Sequence, residues 1–308
     1  MAGICEGRVV VITGAGRGIG REHALAFARE GAKVVVNDVG GSMDGSGADV
    51  GPAQQVVDEI RAMGGEAVAN TDSVVDYAGA GRIIQTAIDT FGGLDVVVNN
   101  AGILRDRMFV NMTEDEFDSV IAVHLRGMFA VTRHAADYWR ARAKAGETND
   151  ARIISTSSPS GIFGNVGQAN YGAAKAGIAT MTIILADELG RLGVTANAIA
   201  PVALTRMTEG LPLFAEAEGA QRDAAGYHPM DPANISPLVV WLGSPLSAGV
   251  TGRVFTVMGG EIGVAEPWVK GPVAHKDGRW SPEELTAVVP GLVERARGNS
   301  DMGGNPRA

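Results

Sequence analysis

Tyr171 and Lys175 stand four residues apart in Tyr-Gly-Ala-Ala-Lys, and Ser158 lies thirteen residues ahead of the tyrosine. On a helix, positions i and i+4 share a face, so the Lys175 ammonium can lie beneath the Tyr171 ring and bias its hydroxyl toward the phenolate. A tyrosine starts near pKa ~10, and moving it to about 7 takes roughly 4 kcal/mol of differential stabilisation of the anion. A buried cation and the positive ring of an oxidised nicotinamide can supply that. Ser158 would then hydrogen-bond a substrate oxygen while Tyr171 exchanges its proton, and a hydride would pass between carbon and cofactor. The chemistry is alcohol to ketone, or the reverse. Taken alone, the pair also fits a tyrosine on an amphipathic helix with a lysine snorkelling beside it. Hydroxyls crowd Ser155 to Ser160, so the choice of Ser158 rests on register, with Ser157 and Ser160 as alternatives. Gln168 either lines the substrate cleft or caps the Tyr171 helix.

A nucleotide-binding turn earlier in the chain argues for catalysis. Thr13-Gly14-Ala15-Gly16-Arg17-Gly18-Ile19-Gly20 departs from G-x-G-x-x-G and matches T-G-x-x-x-G-x-G at Thr13, Gly14, Gly18 and Gly20. Backbone N–H groups at the helix start, with Arg17 and Ile19 between the glycines, would face a pyrophosphate. Asp38, at the end of the second strand, is the expected acceptor for an adenosine ribose diol, and its charge would repel a 2′-phosphate. NAD is therefore favoured over NADP, although Arg17 could pair with that phosphate. Asp72 and Ser73 are placed to meet the adenine amine, or else to serve as a loop or helix cap.

These residues need a scaffold that brings strand ends together. β-branched runs alternate with helical stretches: strands at 8–12, 33–37, 67–70, 94–99, 152–155, 195–199 and finally 254–257, helices at 18–30, 53–63, 78–91, 114–145 (with a possible break), 171–192 and 235–242. This rhythm predicts an α/β fold with one doubly wound parallel sheet covered by helices on both faces, its ligand at the carboxyl ends of the strands. Residues 1–260 form that domain. Within it, 201–232 reads either as a substrate lid carrying Leu204, Met207, Leu211, Leu213, Phe214 and Met230 or as a surface helical pair. Glu209, Glu216, Glu218 and Asp223 make it acidic against Arg206 and Arg222. Residues 40–52 form a Gly/Ser/Asp-rich loop. Residues 261–308 are a C-terminal extension with Trp268, Trp280 and an amphipathic stretch at 282–296, expected to pack on the domain or at an oligomer interface and to fray at its end.

Composition bounds the partners. The 308 residues are 45% hydrophobic and 20% charged, enough for a sizeable core, and the net charge of -9 offers no basic field to nucleic acid or anionic lipid. Cys5 is the sole cysteine, which leaves no internal disulfide and no thiolate metal cluster; no metal is expected. Neither a secretory leader nor a membrane-spanning run is legible, so a cytoplasmic protein is expected.

The glycine turn, Asn99-Asn100-Ala101-Gly102, Ser158, Tyr171 and Lys175 together resemble the short-chain dehydrogenase/reductase family to about Gly260. The resemblance implies a Rossmann-type fold, with Asn99 lining the cofactor cleft near the adenosine side, Ala101 and Gly102 letting the chain pass closely, and Pro201 leading into the nicotinamide site. Longer runs, including Val35 to Gly41, Asn100 to Arg107, Val123 to Gly127 and Gly164 to Tyr171, are similar to the (3R)-hydroxyacyl-CoA dehydrogenase units of multifunctional peroxisomal β-oxidation enzymes. That likeness implies an acyl-CoA thioester as the small-molecule substrate, a homodimer or homotetramer, and a separate hydratase. Arg105, Arg107 and Arg126 could meet coenzyme A phosphates or simply be solvated. No Ser-Lys-Leu terminus points to the peroxisome. His124 replaces the asparagine usual in the family's proton relay, and is either a relay member or a packed helix residue. Val202 stands where glycine is common. A hydroxysteroid dehydrogenase, a 3-oxoacyl-thioester reductase and a non-catalytic dinucleotide-binding sensor are the competing readings.

Overall fold

Val9-Val10-Val11-Ile12 and Val34-Val35-Val36 are β-branched runs buried on both faces, the signature of interior parallel strands. The structure is a computed structural model that describes residues 3–42, 44, 46–47, 51–205, 222–224, 226–266 and 268–307. It forms one eight-stranded sheet in the order β3-β2-β1-β4-β5-β6-β7-β8. The strands are β1 (Val9–Thr13), β2 (Lys33–Asn37), β3 (Glu66–Asn70), β4 (Val96–Asn99), β5 (Ala151–Thr156), β6 (Val194–Val202), β7 (Val254–Met258) and β8 (Glu261–Ala265). Every neighbouring pair is parallel except β7 with β8.

Side chains alternate along each strand and fill two cores. Val10 and Ile12 face a cluster covered by α1 (Gly18–Arg29), α2 (Gly51–Ala62) and α8 (Ser236–Gly243), whereas Val9 and Val11 face α3 (Tyr77–Phe91), α5 (Gly127–Lys144) and α7 (Ala169–Leu189). The chain runs outward from β1 to β3, then returns to place β4 on the other side of β1. The resulting switch point opens a crevice at Thr13 and Asn99, where a doubly wound sheet receives its ligand.

Three elements differ from the sequence reading. The long helix expected over 114–145 with a possible break is interrupted not by a gap but by a change of winding: α4 (Glu114–Ile121), a π-helical turn (Ala122–Arg126) and α5. The wide turn turns His124 inward, where it is 3% exposed. A short helix, α6 (Pro159–Phe163), starts at Ser158. The sheet also does not end at β7. Gly259-Gly260 makes a two-residue hairpin, with Met258 opposite Glu261, and β8 becomes the edge.

Residues Met1–Ala265 form one compact unit and Glu266–Ala308 a second. In the second unit α9 (Pro282–Arg295) starts on a Ser281/Glu284 capping box, and Lys276 pairs with Glu284 and lies 5.5 Å from the Trp280 ring centroid. Its last residues, expected to fray, close a turn in which Asp301 accepts from the Gly303 and Asn305 N–H groups and Ser300 bridges to Pro306.

Candidate active site

α7 carries Tyr171 and Lys175 one turn apart, and the Lys175 Nζ lies 5.4 Å from the Tyr171 ring centroid. It donates to the Thr156 carbonyl at the end of β5 (2.6 Å). Ser158, at the start of α6, acts on the Tyr171 hydroxyl and lowers its pKa. The alternatives in register are occupied elsewhere: Ser157 Oγ donates to the Lys175 carbonyl (2.8 Å), and Ser160 Oγ donates to Gln168 Oε1 (2.7 Å). Ser158, Tyr171 and Lys175 are thus brought together as the spacing implied.

Their electrostatics are those of the site without the cofactor's charge. Burial pushes the Tyr171 hydroxyl up to about 12, against a lowering by Ser158 and a further rise from the Asp106 charge. Part of Tyr171 reaches solvent, but the protein packed around its hydroxyl outweighs that exposure. Burial also brings the Lys175 ammonium down to about 7. Both groups are driven toward their neutral forms, so a lysine at i+4 does not by itself make a phenolate. Additional positive charge at the site is needed.

His124 and Asn99 meet beside this pair. A small cavity of about 10 Å³ is lined by Thr13, Asn99, Ala101, His124, Thr156 and Lys175, among others. Asn99 Oδ1, His124 Nδ1 and Thr156 Oγ1 are buried there without a hydrogen-bond partner. Asn99 Nδ2 donates to Thr132 Oγ1 (3.0 Å) and Ser155 Oγ (3.3 Å), and the side chain lines the same small cavity as Lys175 and His124. The His124 ring stands edge-on to Tyr171 with centroids 5.2 Å apart. Its Nε2 lies 2.8 Å from the Ile103 carbonyl oxygen and 3.1 Å from the Ile103 nitrogen, so one tautomer donates and the other accepts. Burial, aided by the Lys175 charge, holds the imidazole well below its ordinary pKa. It is a neutral group. Gly102 does provide a close approach, toward His124: a Cβ there would fall 2.5 Å from His124 Cε1.

At the switch point, Thr13 Oγ1 accepts from the Asn100 and Ala101 N–H groups (3.0 and 3.1 Å), and Asn100 Nδ2 donates to the Thr13 and Gly14 carbonyls (both 3.0 Å). These bonds tie β1 to β4 across the crevice. The sequence reading assigned Asn100 no such role; the paired Asn-Asn at the end of a strand was the signal. Gly14 has φ +65°, and a Cβ there would fall 2.7 Å from Ala101 Cα.

The residues fit a dinucleotide. α1 starts at Arg17 without any side-chain cap, leaving its first N–H groups, around Gly18, Ile19 and Gly20, to an anion. Asp38 is held between the Gly16 N–H (2.8 Å to Oδ2) and the Gly40 N–H (2.7 Å to Oδ1), at the end of β2 where a ribose diol would lie. Arg17 is exposed, and its Nη1 lies 3.4 Å from the Gly41 carbonyl. Asp72 does not serve as a helix cap, since Asp76 caps α3. Its carboxylate accepts from Arg82 (2.7 Å) and Asn70 (3.0 Å), and Ser73 Oγ accepts from the Val75 N–H. An adenine contact would have to share that carboxylate. Pro201 and Val202 extend β6, paired with Val257 and Met258. The β-branched residue that replaces glycine sits in a strand, which suits it.

On the substrate side, Gln168 is the N-cap residue of α7 without a side-chain cap bond; its Nε2 donates to Asp106 Oδ2 (2.7 Å). Arg105 pairs with Asp115 and Arg107 with Glu116, while Arg126 donates to the Val75 carbonyl. The first two are already matched by carboxylates, which weakens their case as phosphate ligands. Of the lid residues, Leu204 and Met230 are joined backbone to backbone (2.7 Å), and Arg222 pairs with Asp231. Arg206, Met207, Glu209, Leu211, Leu213, Phe214, Glu216 and Glu218 lie outside the described residues.

Comparison with known proteins agrees with this geometry. The short chain dehydrogenase family matches residues 8–213, and the chain belongs to that family. It is 46% identical over 92% of its length to hydroxyacyl-CoA dehydrogenase ChsB1 of Mycobacterium tuberculosis, covering 88% of that enzyme. It is 47% identical to mouse peroxisomal multifunctional enzyme type 2 over 84% of this chain, spanning 32% of that longer protein. A crystal structure of a short chain dehydrogenase from Mycobacterium avium superposes with a TM-score of 0.86 at 56% identity, covering 99% of this chain and 100% of that one. The protein is therefore an oxidoreductase of the CH–OH class that works with a nicotinamide cofactor. Among the described residues, no helix is long and apolar enough to cross a membrane.

Proposed function

We propose that the chain is an NAD-dependent dehydrogenase of (3R)-hydroxyacyl-CoA thioesters. The observation that carries the reaction is the Ser158–Tyr171–Lys175 cluster at the sheet switch point. The substrate class rests on the likeness to an enzyme named hydroxyacyl-CoA dehydrogenase along nearly the whole chain. The NAD preference is supported by Asp38, whose carboxylate is anchored at the end of β2, where it would meet a ribose diol and repel a 2′-phosphate. Assembly as a homodimer or homotetramer in the cytoplasm goes with this reading, and the mass of the protein in solution checks the assembly.

When bound, an oxidised nicotinamide supplies the hydride acceptor and a positive ring. Ser158 holds the hydroxyl oxygen of the substrate. Tyr171 takes the hydroxyl proton as the C–H hydrogen leaves with its electron pair, and the carbon becomes a carbonyl. Lys175, fixed by the Thr156 carbonyl, stabilises the phenolate that accepts this proton. His124 orients the loop after β4 through Ile103 and packs its edge against the tyrosine ring.

The test is NADH formation from the R and S isomers of a medium-chain 3-hydroxyacyl-CoA, with a secondary-alcohol steroid and NADP alongside. Oxidation of the R isomer with NAD is the expected result. Turnover of the steroid alone overturns the substrate. Tyr171→Phe should keep cofactor affinity and lose about 10²–10⁴-fold in kcat; unchanged turnover would sink the mechanism.

A further inference from the structure

The segment that follows β2 leaves and rejoins the fold beside the glycine turn. At its root the Gly16 and Gly40 N–H groups hold Asp38, and a Cβ on Gly16 would fall 2.9 Å from both the Asp38 carboxyl and Pro52 Cβ. Farther out the segment closes a turn on itself. Asp44 Oδ1 accepts from the Ser46 N–H (3.0 Å) and Ser46 Oγ (2.7 Å), and the Ser42 N–H donates to the Ser46 carbonyl (2.7 Å). Gly41 fits against that turn, where a Cβ would come 3.3 Å from the Ser46 and Gly47 carbonyl oxygens. The Asp44 carbonyl then accepts from Nε of Arg105 (2.9 Å), which belongs to the loop after β4.

Sheet order makes this contact informative. The strands lie in the order β3-β2-β1-β4, so a chain that leaves the end of β2 and meets the loop after β4 passes over the carboxyl end of β1, where the glycine turn and the crevice lie. Arg17, in that turn, marks the path, since its Nη1 lies 3.4 Å from the Gly41 carbonyl. We propose that residues 38–42, 44, 46 and 47 strap the dinucleotide crevice, and that Arg105 is the positioning residue that latches the strap and slows release of the bound cofactor. This rests on the reading of the glycine turn as the nucleotide site.

Arg105 is itself firmly placed. Its carbonyl accepts from Asn170 Nδ2 (3.0 Å), and the same nitrogen donates to the Glu116 carbonyl (2.9 Å). Asn170 is fully buried at the start of α7, and its Oδ1 accepts from the Tyr171 N–H (2.8 Å). The half-buried Arg105 guanidinium is aimed by Asp115, which accepts from Nη1 (2.6 Å) and leaves Nε to Asp44. Asp115 is exposed, so this ion pair contributes little to stability by itself and serves to orient the guanidinium. The bond from Nε to the Asp44 carbonyl is charge-assisted, which makes it strong for a contact between two loops. One side chain thus joins the strap over the cofactor position to the helix that carries Tyr171 and Lys175.

Arg105→Met keeps the apolar stem and removes the latch. NADH dissociation, followed by stopped-flow fluorescence, should accelerate about tenfold. Hydrogen exchange at the Ser42 and Ser46 amides of the NADH complex should speed up with it, while the amides of β1 and β4 stay protected. Asp44→Ala leaves Arg105 in place and opens the turn that presents the carbonyl, and should accelerate release about threefold. In the double variant the two effects should not multiply, because both act through one contact. An unchanged release rate in Arg105→Met, effects that multiply in the double variant, or faster exchange throughout β1 and β4 overturns the latch. A raised KM for the thioester with NADH release unchanged also overturns it, and returns Arg105 to the coenzyme A phosphates. The nucleotide reading fails separately, through an absence of NADH binding to the wild-type protein.

Discussion

Lys175→Met tests how the site makes a phenolate at all. The Lys175 Nζ stands 5.4 Å from the Tyr171 ring centroid. Two unit charges at that distance attract by about 3 kcal/mol at an effective dielectric of about 20. That is roughly two pKa units, or about 10²-fold at a pH below the limb. Burial lowers Lys175 to about 7 and raises Tyr171 to about 12, so a phenolate formed here gains from a positive charge placed beside it. Removing the ammonium should lower kcat/KM for alcohol oxidation about 10²-fold near neutrality and move the rising limb up by about two units. Methionine keeps the apolar stem, so cofactor affinity and the urea midpoint report any collapse of the site. Rate profiles from pH 6 to 10 decide the matter. A uniform loss at every pH with the limb in place would refute the electrostatic role and leave Lys175 as a spacer for the Thr156 carbonyl.

If the proposed NAD preference holds, Asp38→Ala should narrow or reverse the ratio of kcat/KM for NAD over NADP, because the carboxylate bonded to Gly16 and Gly40 would then be the charge opposing a 2′-phosphate; an unchanged ratio would remove Asp38 from specificity. His23 is fully buried against Ser236, and burial pushes its imidazole down to about 3. The unfolded chain binds that proton near pH ~6.5, so this contribution to stability is complete above that pH and is lost as pH falls toward the folded value, about 2 kcal/mol by pH 5. His23→Gln should flatten the urea midpoint between pH 7 and 5 by about that amount relative to wild type, and an equal acid loss in both would exclude the histidine. Gly14→Ala combines a φ of +65° with a Cβ placed 2.7 Å from Ala101 Cα. It should cost on the order of 2–4 kcal/mol in urea unfolding of the protein without cofactor, and a loss below about 1 would show that the β1–β4 crevice can widen.

The sequence by itself determined the elements and the chemistry-bearing set. Its apolar runs specify parallel strands through their β-branching, and the strand ends at Thr13, Asp38 and Asn99 were legible because a sheet of this kind places them on one edge. Tyr171, Lys175 and Ser158 were legible because helical spacing fixes the first two on one face and few residue types move a proton from an alcohol. Other features are long-range and had no local signal of sufficient strength. The π turn that buries His124 is one extra residue in a helical register. The choice of Ser158 over Ser157 and Ser160 depends on which hydroxyl is not already spent on the Lys175 carbonyl or on Gln168, and the accommodation of Val202 depends on the pairing of β6 with β7. The edge strand β8 followed from Gly259-Gly260, a turn signal that was there to read. Most of all, tertiary structure decided the electrostatics. Spacing pictured a lysine that, with a positive nicotinamide ring, lowers a tyrosine; packing shows how much that ring must supply, because it buries both groups and penalises both charges. Desolvation depends on what the rest of the chain packs around a group, and no window of sequence contains that.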